Sequence, residues 1–366
     1  IIDSKKSLFL HIDYCYRVYM RYFYYFLFCL FFHCSLCRGN EDSSSFTFSG
    51  YAEWYYSYDF SQSRTKPDFI YNHKRLDEIN MNLIVGSVNY RNKNVRANIG
   101  LMAGNYAQYN LSKEPAFAQF LYEANGGIRL DSSHNIWFDM GIFPSHIGFE
   151  SAVGADCYTV TRSLVAENSP YYEAGAKISY KTADSTLLLS LLYLNGWQTI
   201  FRNPDIHTPS FGLQLQYHFS PFFMINYSNF IGSDRQDNEQ SMRVYHNVYS
   251  HVFFSKNFGV IAGFDIGRDR GEGRRYYYWY TPTIIAHGRF SEQWSIACRY
   301  EYFGDKNAAL FSSEFDCTGY SANLDYMLTS QTLLRIEGRH LISSYKIFDK
   351  NVRNNTALTF SMSMRI

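Results

Sequence analysis

The sequence predicts an all-β chain closed into a transmembrane antiparallel up-and-down β-barrel of about sixteen strands (14–18). Three observations carry that prediction. Apolar and polar residues alternate along most of the chain. Short and long links alternate between those segments. The composition is rich in aromatics and poor in charge. Of 366 residues, 33 are Tyr and 31 are Phe, and charged residues make up only 18%, far from ordinary soluble usage. Mean hydropathy is negative, which excludes a bundle of membrane helices. A formal net charge of +1 supplies no basic field for nucleic acid.

The alternation is clearest in the last residues, TALTFSMSMRI. Leu358, Phe360, Met362, Met364 and Ile366 take one parity; Thr359, Ser361, Ser363 and Arg365 take the other. Period two puts the two sets on opposite faces of a strand. FTFSGYAEWYYSYDF, VRANIGLMAG, FGLQLQYHF, WSIACRYEY and TLLRIEGRHLI repeat the pattern. Segments of this kind start near residues 46, 78, 94, 117, 134, 171, 186, 208, 222, 241, 257, 275, 293, 316, 331 and 354. Those at 117 and 275 have the weakest parity. No helical periodicity of useful length follows residue 40.

The links RNKN, DSSH, ADS, SP, SKN, SEQ and TSQ are short. The links 61–77, 109–116, 144–170, 196–207, 232–240, 268–274, 304–315 and 343–353 are long. Such segregation fits a meander with tight periplasmic turns and long extracellular loops. An even strand count then puts both termini in the periplasm. The final strand must pair with the first, around 46–60, because lipid does not tolerate an open sheet edge. Trp294 and Tyr302 bracket one strand as interfacial aromatics, and RRYYYWYTP (274–282) reads as a piece of the outer girdle.

Residues 1–39 read as a leader. Arg21 precedes the apolar stretch YFYYFLFCLFFHCSLC, and RGNEDSSS follows it, the layout of a secretory signal peptide. Met20 is then the expected initiator, and 40–366 the barrel. Cys157, Cys298 and Cys317 remain in the mature chain, too dispersed for a disulfide framework or a metal site.

Parity assigns a lumen-facing set of charges: Arg96, Arg243, Arg299, Glu301, Arg335, Glu337 and Arg339. A charge on the lipid face costs roughly 2–4 kcal/mol at the bilayer midplane, so these side chains must face water or partners. Their mixed signs predict internal salt bridges and weak ion selectivity. The longest link, 144–170, is expected to fold inward as a constriction, with Glu150, Asp156 and Arg162 as selectivity charges.

The stretch 141–198 resembles the β-barrel porins of the OmpL-like type from Gram-negative outer membranes. The matching residues are Gly141, Phe143, Pro144, Ile147, Gly148 and Glu150, then Thr161, Arg162 and Ser163, then Pro170, Tyr171, Tyr172 and Gly175, then Asn195, Gly196 and Trp197. The resemblance implies an outer-membrane porin, a passive channel for small hydrophilic solutes. It implies no catalytic residues and no assigned cargo. Expected partners are outer-membrane lipid and lipopolysaccharide, the barrel assembly machinery and further copies of the chain in a homotrimer; no cofactor and no metal is expected.

Two other readings compete. A plugged barrel would act as a surface-binding protein. A barrel enzyme would need a rim constellation, for which His340 and Ser343 are the available pair, without a third member. His146, His207, His246 and His251 lack metal-ligand spacing. Asp305, Glu314 and Asp316 lie on or beside one long link, where the alternative to no metal is Ca²⁺ binding or a divalent bridge to lipopolysaccharide.

Overall fold

A computed structural model describes residues 44–131, 133–233, 242–270 and 275–366. The leader and Met20 lie outside the described residues. Sixteen strands follow in order: β1 Ser45–Asp59, β2 Ile79–Arg91, β3 Val95–Ala103, β4 Leu121–Asp131, β5 Ile136–Pro144, β6 Tyr172–Lys181, β7 Leu187–Leu194, β8 Ser210–Ser220, β9 Phe223–Gly232, β10 Arg243–Ser255, β11 Phe258–Arg270, β12 Tyr276–Arg289, β13 Trp294–Asp305, β14 Phe315–Thr329, β15 Thr332–Ile342 and β16 Asn354–Arg365. Every strand pairs antiparallel with its chain neighbours, and β1 pairs with β16 to close the barrel. The seam runs from Tyr51 opposite Arg365 to Asp59 opposite Ala357. Gly50 and Ile366 exchange backbone hydrogen bonds of 2.9 Å at its end.

The two faces of the wall divide as the alternation requires. Thr359, Ser361 and Ser363 of β16 are buried, whereas Phe360 and Met364 are exposed on the outside. Trp294 packs with Phe290 and Tyr326 at the short-turn end of β13, while Tyr302 packs with Tyr280 at the other. Cys298 is exposed; Cys157 and Cys317 are buried, and all three are free thiols.

Two details differ from the sequence expectations. β11 runs on through 268–270 of the predicted link, to Arg270, and β12 begins at Tyr276. RRYYYWYTP also serves both faces: Tyr276, Tyr278 and Tyr280 are exposed, whereas Trp279 is 1% exposed. Trp279 lies across Gly267 of β11, where a Cβ would overlap its ring. The helices among the described residues are short: α1, Asn105–Asn110, α2, Leu164–Glu167, and a few 3-10 turns.

Candidate functional site: the loop inside the barrel

The link between β5 and β6 turns into the lumen. Its base closes where Ser145 N donates to Tyr171 O at 3.0 Å. His146 then reaches across the inner wall. Its Nδ1 lies 2.9 Å from both carboxylate oxygens of Glu173 on β6, and its Nε2 lies 2.8 Å from the Asn229 carbonyl on β9. A carboxylate at Glu173 and the Asn229 carbonyl are both acceptors, an arrangement that favours a ring donating from both nitrogens, the imidazolium. Burial works against that charge, but the Glu173 carboxylate outweighs it and the net shift of the His146 pKa is upward. Gly212 on β8 makes room for the ring, since a Cβ there would sit 2.7 Å from the imidazole.

From this base the loop crosses to the opposite strands. Gly148 N donates to Asn247 on β10 at 3.2 Å, and Phe149 meets Tyr249 edge to face at 5.4 Å. Gly148 has φ of 86°, a region that favours glycine. Tyr158 stacks on His287 of β12 with centroids 3.6 Å apart. Val160 N donates to Asn323 on β14 at 3.2 Å, and Thr161 donates through N and Oγ1 to Glu337 on β15. Asp156 pairs with Arg365 on β16.

The predicted lumen charges of β13 and β15 meet here. Arg299 donates to Thr159 Oγ1 and to the Thr161 carbonyl at 2.7 Å each. It also pairs with Glu301 at 3.1 Å and Glu337 at 3.2 Å. Glu301 takes Arg339 at 2.8 Å and the Leu164 backbone N–H at 2.5 Å. Arg335 binds Asp325 at 2.7 Å and donates to the Gly154 and Cys157 carbonyls at 2.8 and 2.9 Å. Charge-assisted bonds of this kind are the strong ones, provided every buried member is satisfied. Arg339 departs from that rule, because its Nε and Nη1 are buried without partners among the described residues.

The other two predicted arginines stand apart. Arg96 binds Asp139 in a bidentate pair and lies 4.4 Å from the Trp137 ring. Arg243 binds Asp269 at 2.9 and 3.0 Å and lies 4.8 Å from the Trp197 ring.

The three loop charges occupy unlike positions. Arg162 is fully buried, and its donors go to the carbonyls of Ser151 at 2.7 Å, Val160 at 2.6 Å and Ala152 at 3.1 Å. Glu150 accepts from the backbone N–H and hydroxyl of Ser163, and burial pushes its carboxyl pKa up. Asp156 and Arg365 keep about half their side-chain surface in water, at 49% and 48%.

A second link joins the first. Glu167 of α2 accepts from the Tyr71 and Asn72 backbone N–H groups at 2.9 and 3.2 Å, hanging the β1–β2 link on the inward loop. Lys66 of that link is buried, which lowers its pKa to about 8, with Arg339 nearby adding to the effect. Sequence parity did not anticipate this partnership, nor the contact of His251 with His287 at 2.9 Å across Gly259. Among the described residues no cluster of three or more metal-ligating side chains occurs. Asp305 caps the backbone N–H groups of Ala309, Leu310 and Phe311 at 2.7–3.0 Å. His340 bonds Thr356 and Ser343 bonds Asp316, so the candidate rim pair is engaged with separate partners.

Beside the loop lies a cavity of about 240 Å³, and a smaller void of about 10 Å³ continues it along Ile147–Glu150 toward Asn247 and Asp265.

The family described as "Putative beta-barrel porin-2, OmpL-like" matches residues 45–366. No curated protein matches the sequence. Among solved structures, the chain is similar to an anion-selective porin from Comamonas acidovorans, at 9% identity and TM-score 0.60, covering 88% of this chain and 100% of that one. It is similar to the trimer form of OmpT from Vibrio cholerae, at 10% identity and TM-score 0.59, covering 89% and 100%. A mutant of the Rh. blastica porin aligns at 12% identity and TM-score 0.52, covering 88% and 100%. At these identities the likeness is one of fold.

Proposed function

Because the chain belongs to the OmpL-like β-barrel porin family, we propose that it is an outer-membrane channel for passive diffusion of small hydrophilic solutes, narrowed by the 144–170 loop. The observation that carries the reading is the set of bonds tying this loop to inward-facing residues from β6 round to β16. A loop held so occupies lumen that sixteen strands would otherwise leave to water. In this reading Asp156 and Arg365, half in water, act directly on passing ions. Glu150 and Arg162 act by fixing the loop's shape: Arg162 donates to loop carbonyls, and Glu150 accepts from Ser163 with its other oxygen 3.9 Å from Arg299 of the wall. The paired wall charges leave selectivity weak. Residues 1–39 act as the export signal, and both ends of the mature barrel face the periplasm.

We also infer that the chain assembles as a homotrimer through β3–β6. These strands are 9–11 residues long, against 12–15 for β12–β14. Their outer parity carries Ala97, Ala124, Gly126 and Ala176, small residues that let walls approach closely. Mass measurement in mild detergent tests this: three copies are expected for the native chain and one for Ala124→Trp.

Single-channel recording of residues 40–366 in a planar bilayer under a salt gradient tests the channel itself. Stable conductance steps with a small reversal potential are expected. A folded, inserted barrel without steps would overturn the channel in favour of a plugged, surface-binding barrel.

A further inference from the structure

The charges of the lumen and the surface of its cavity point to different chemistry. The wall arginines and carboxylates around the loop are paired with one another or with loop backbone, and Arg339, which keeps two unpartnered N–H groups among the described residues, does not line the cavity. The 240 Å³ cavity beside that loop is lined instead by aromatic rings: Tyr106, Tyr122, Phe149, Tyr171, Tyr172 and Tyr249. Its one ionisable carboxylate, Glu150, already accepts from Ser163. So the void offers aromatic surface and hydroxyl groups with no unpaired charge.

The rings are fixed from several directions. Tyr171 accepts from Asn72 at 3.2 Å and Tyr172 donates to Glu114 at 3.2 Å. Tyr106 meets Tyr171 edge to face at 5.5 Å, and Phe149 meets Tyr249 at 5.4 Å. Tyr122 is turned toward the loop by a β-bulge in the β3–β4 ladder, between Gly100 and Leu101. Pre-positioned rings cost a ligand little ordering on binding. The cavity is smaller than the ~300–1,000 Å³ pockets that take drug-sized ligands, so a single ring fits it better than a chain. The 10 Å³ void beyond it has room for about one water, so a solute would pause before Ile147–Glu150.

We propose that this aromatic cavity is a solute-binding station that favours a compact, neutral, hydroxyl-bearing ring of monosaccharide size. Such a ring offers an apolar C–H face to aromatic surface and hydroxyls at its edge to tyrosine OH groups. An anion or cation gains nothing comparable, because the neighbouring charges are occupied. The station deepens the channel reading by naming a solute class, and it rests on that reading for access.

The test compares glucose, sorbitol and gluconate against the refolded barrel in detergent. Glucose and sorbitol are similar in size and hydroxyl number, but sorbitol has no ring; gluconate is charged. Saturation-transfer NMR reads which molecule touches the protein. Glucose C–H signals are expected to exceed those of the other two by at least threefold. They are expected to fall at least threefold in Tyr249→Ala and in Tyr122→Ala, with Tyr249→Phe between. Heat-modifiable gel mobility confirms that each variant is folded. Equal signals from all three molecules, or folded Ala variants that bind as the native chain does, would overturn the station. Bilayer conductance separates the two readings: steps without glucose contact leave a channel and remove the station. Contact without steps keeps the station and removes the channel.

Discussion

Two sectors of the inner wall carry the same kind of residue and use it differently. On β13–β15, Arg299, Glu301, Glu337 and Arg339 form a buried network whose remaining bonds go to Thr159, Thr161 and Leu164 of the inward loop. On β3–β5, Arg96 binds Asp139 and lies over Trp137, with 21% of its side chain exposed. In the first sector the wall charges hold the loop; in the second they neutralise each other on the strands. Mixed charge on an inward parity therefore does not define a role. The partner does, and where the partner is the loop it lies more than a hundred residues away in sequence.

The comparison breaks most severely if Arg299 is removed. Arg299→Met leaves Glu301 and Glu337 with buried, undercompensated charge, a loss on the order of 3–5 kcal/mol. The expected outcome is a barrel that still inserts but shows larger, noisier current steps, read by bilayer recording beside thermal unfolding. Unchanged steps from a folded variant would show that the network does not hold the loop. Arg162→Met attacks the loop from within. Three loop carbonyls lose their donor, and a loss of about 2–4 kcal/mol in loop stability is expected. Protease accessibility of 145–171 in the folded barrel reads it, and protection equal to the native chain would contradict it.

A pH titration sharpens the contrast at the loop's base. The His146 pKa is raised in the fold by Glu173 against the cost of burial. Its stabilisation is therefore full below about pH 6.5, the ordinary histidine value, and is lost as pH rises through the raised folded value. Current noise should grow above neutral pH in the native chain and be pH-independent in His146→Gln. Equal pH dependence in the two would remove His146 from this part.

The β3–β5 sector supplies the smallest effect. Arg96→Gln breaks a pair with one partly exposed partner, so a stability loss of about 1 kcal/mol or less is expected. The lumen loses a positive charge there, and reversal potential should move modestly toward cations. A loss as large as that of Arg299→Met would erase the distinction between the sectors.

Much of this is legible in the sequence. Alternation in 358–366 placed Thr359, Ser361 and Ser363 inside and Phe360 and Met364 outside, because a strand's side chains can only alternate. Alternating link lengths gave the meander and the closure of β16 on β1. Parity also placed Arg299, Glu301, Arg335, Glu337 and Arg339 on the buried inner face. What parity could not supply was the second partner of each. Arg162 illustrates the limit: it sits on an irregular loop, where no period relates position to direction, and its bonds run to backbone carbonyls that every sequence has. Trp279 shows the same limit inside a strand. It looked like girdle until Gly267, on the neighbouring strand, gave it room inside.

By itself, then, the sequence determined the barrel, its order, its closure and the two faces of its wall. These follow from local periodicity and from the requirement that lipid see no open sheet edge. Only the tertiary structure decided that the 145–171 loop binds the β13–β15 charges, that the β1–β2 link hangs on Glu167, and that aromatic rings line the space left beside them. Those contacts join residues distant along the chain, and their energies depend on distance and burial, which a one-dimensional pattern does not contain.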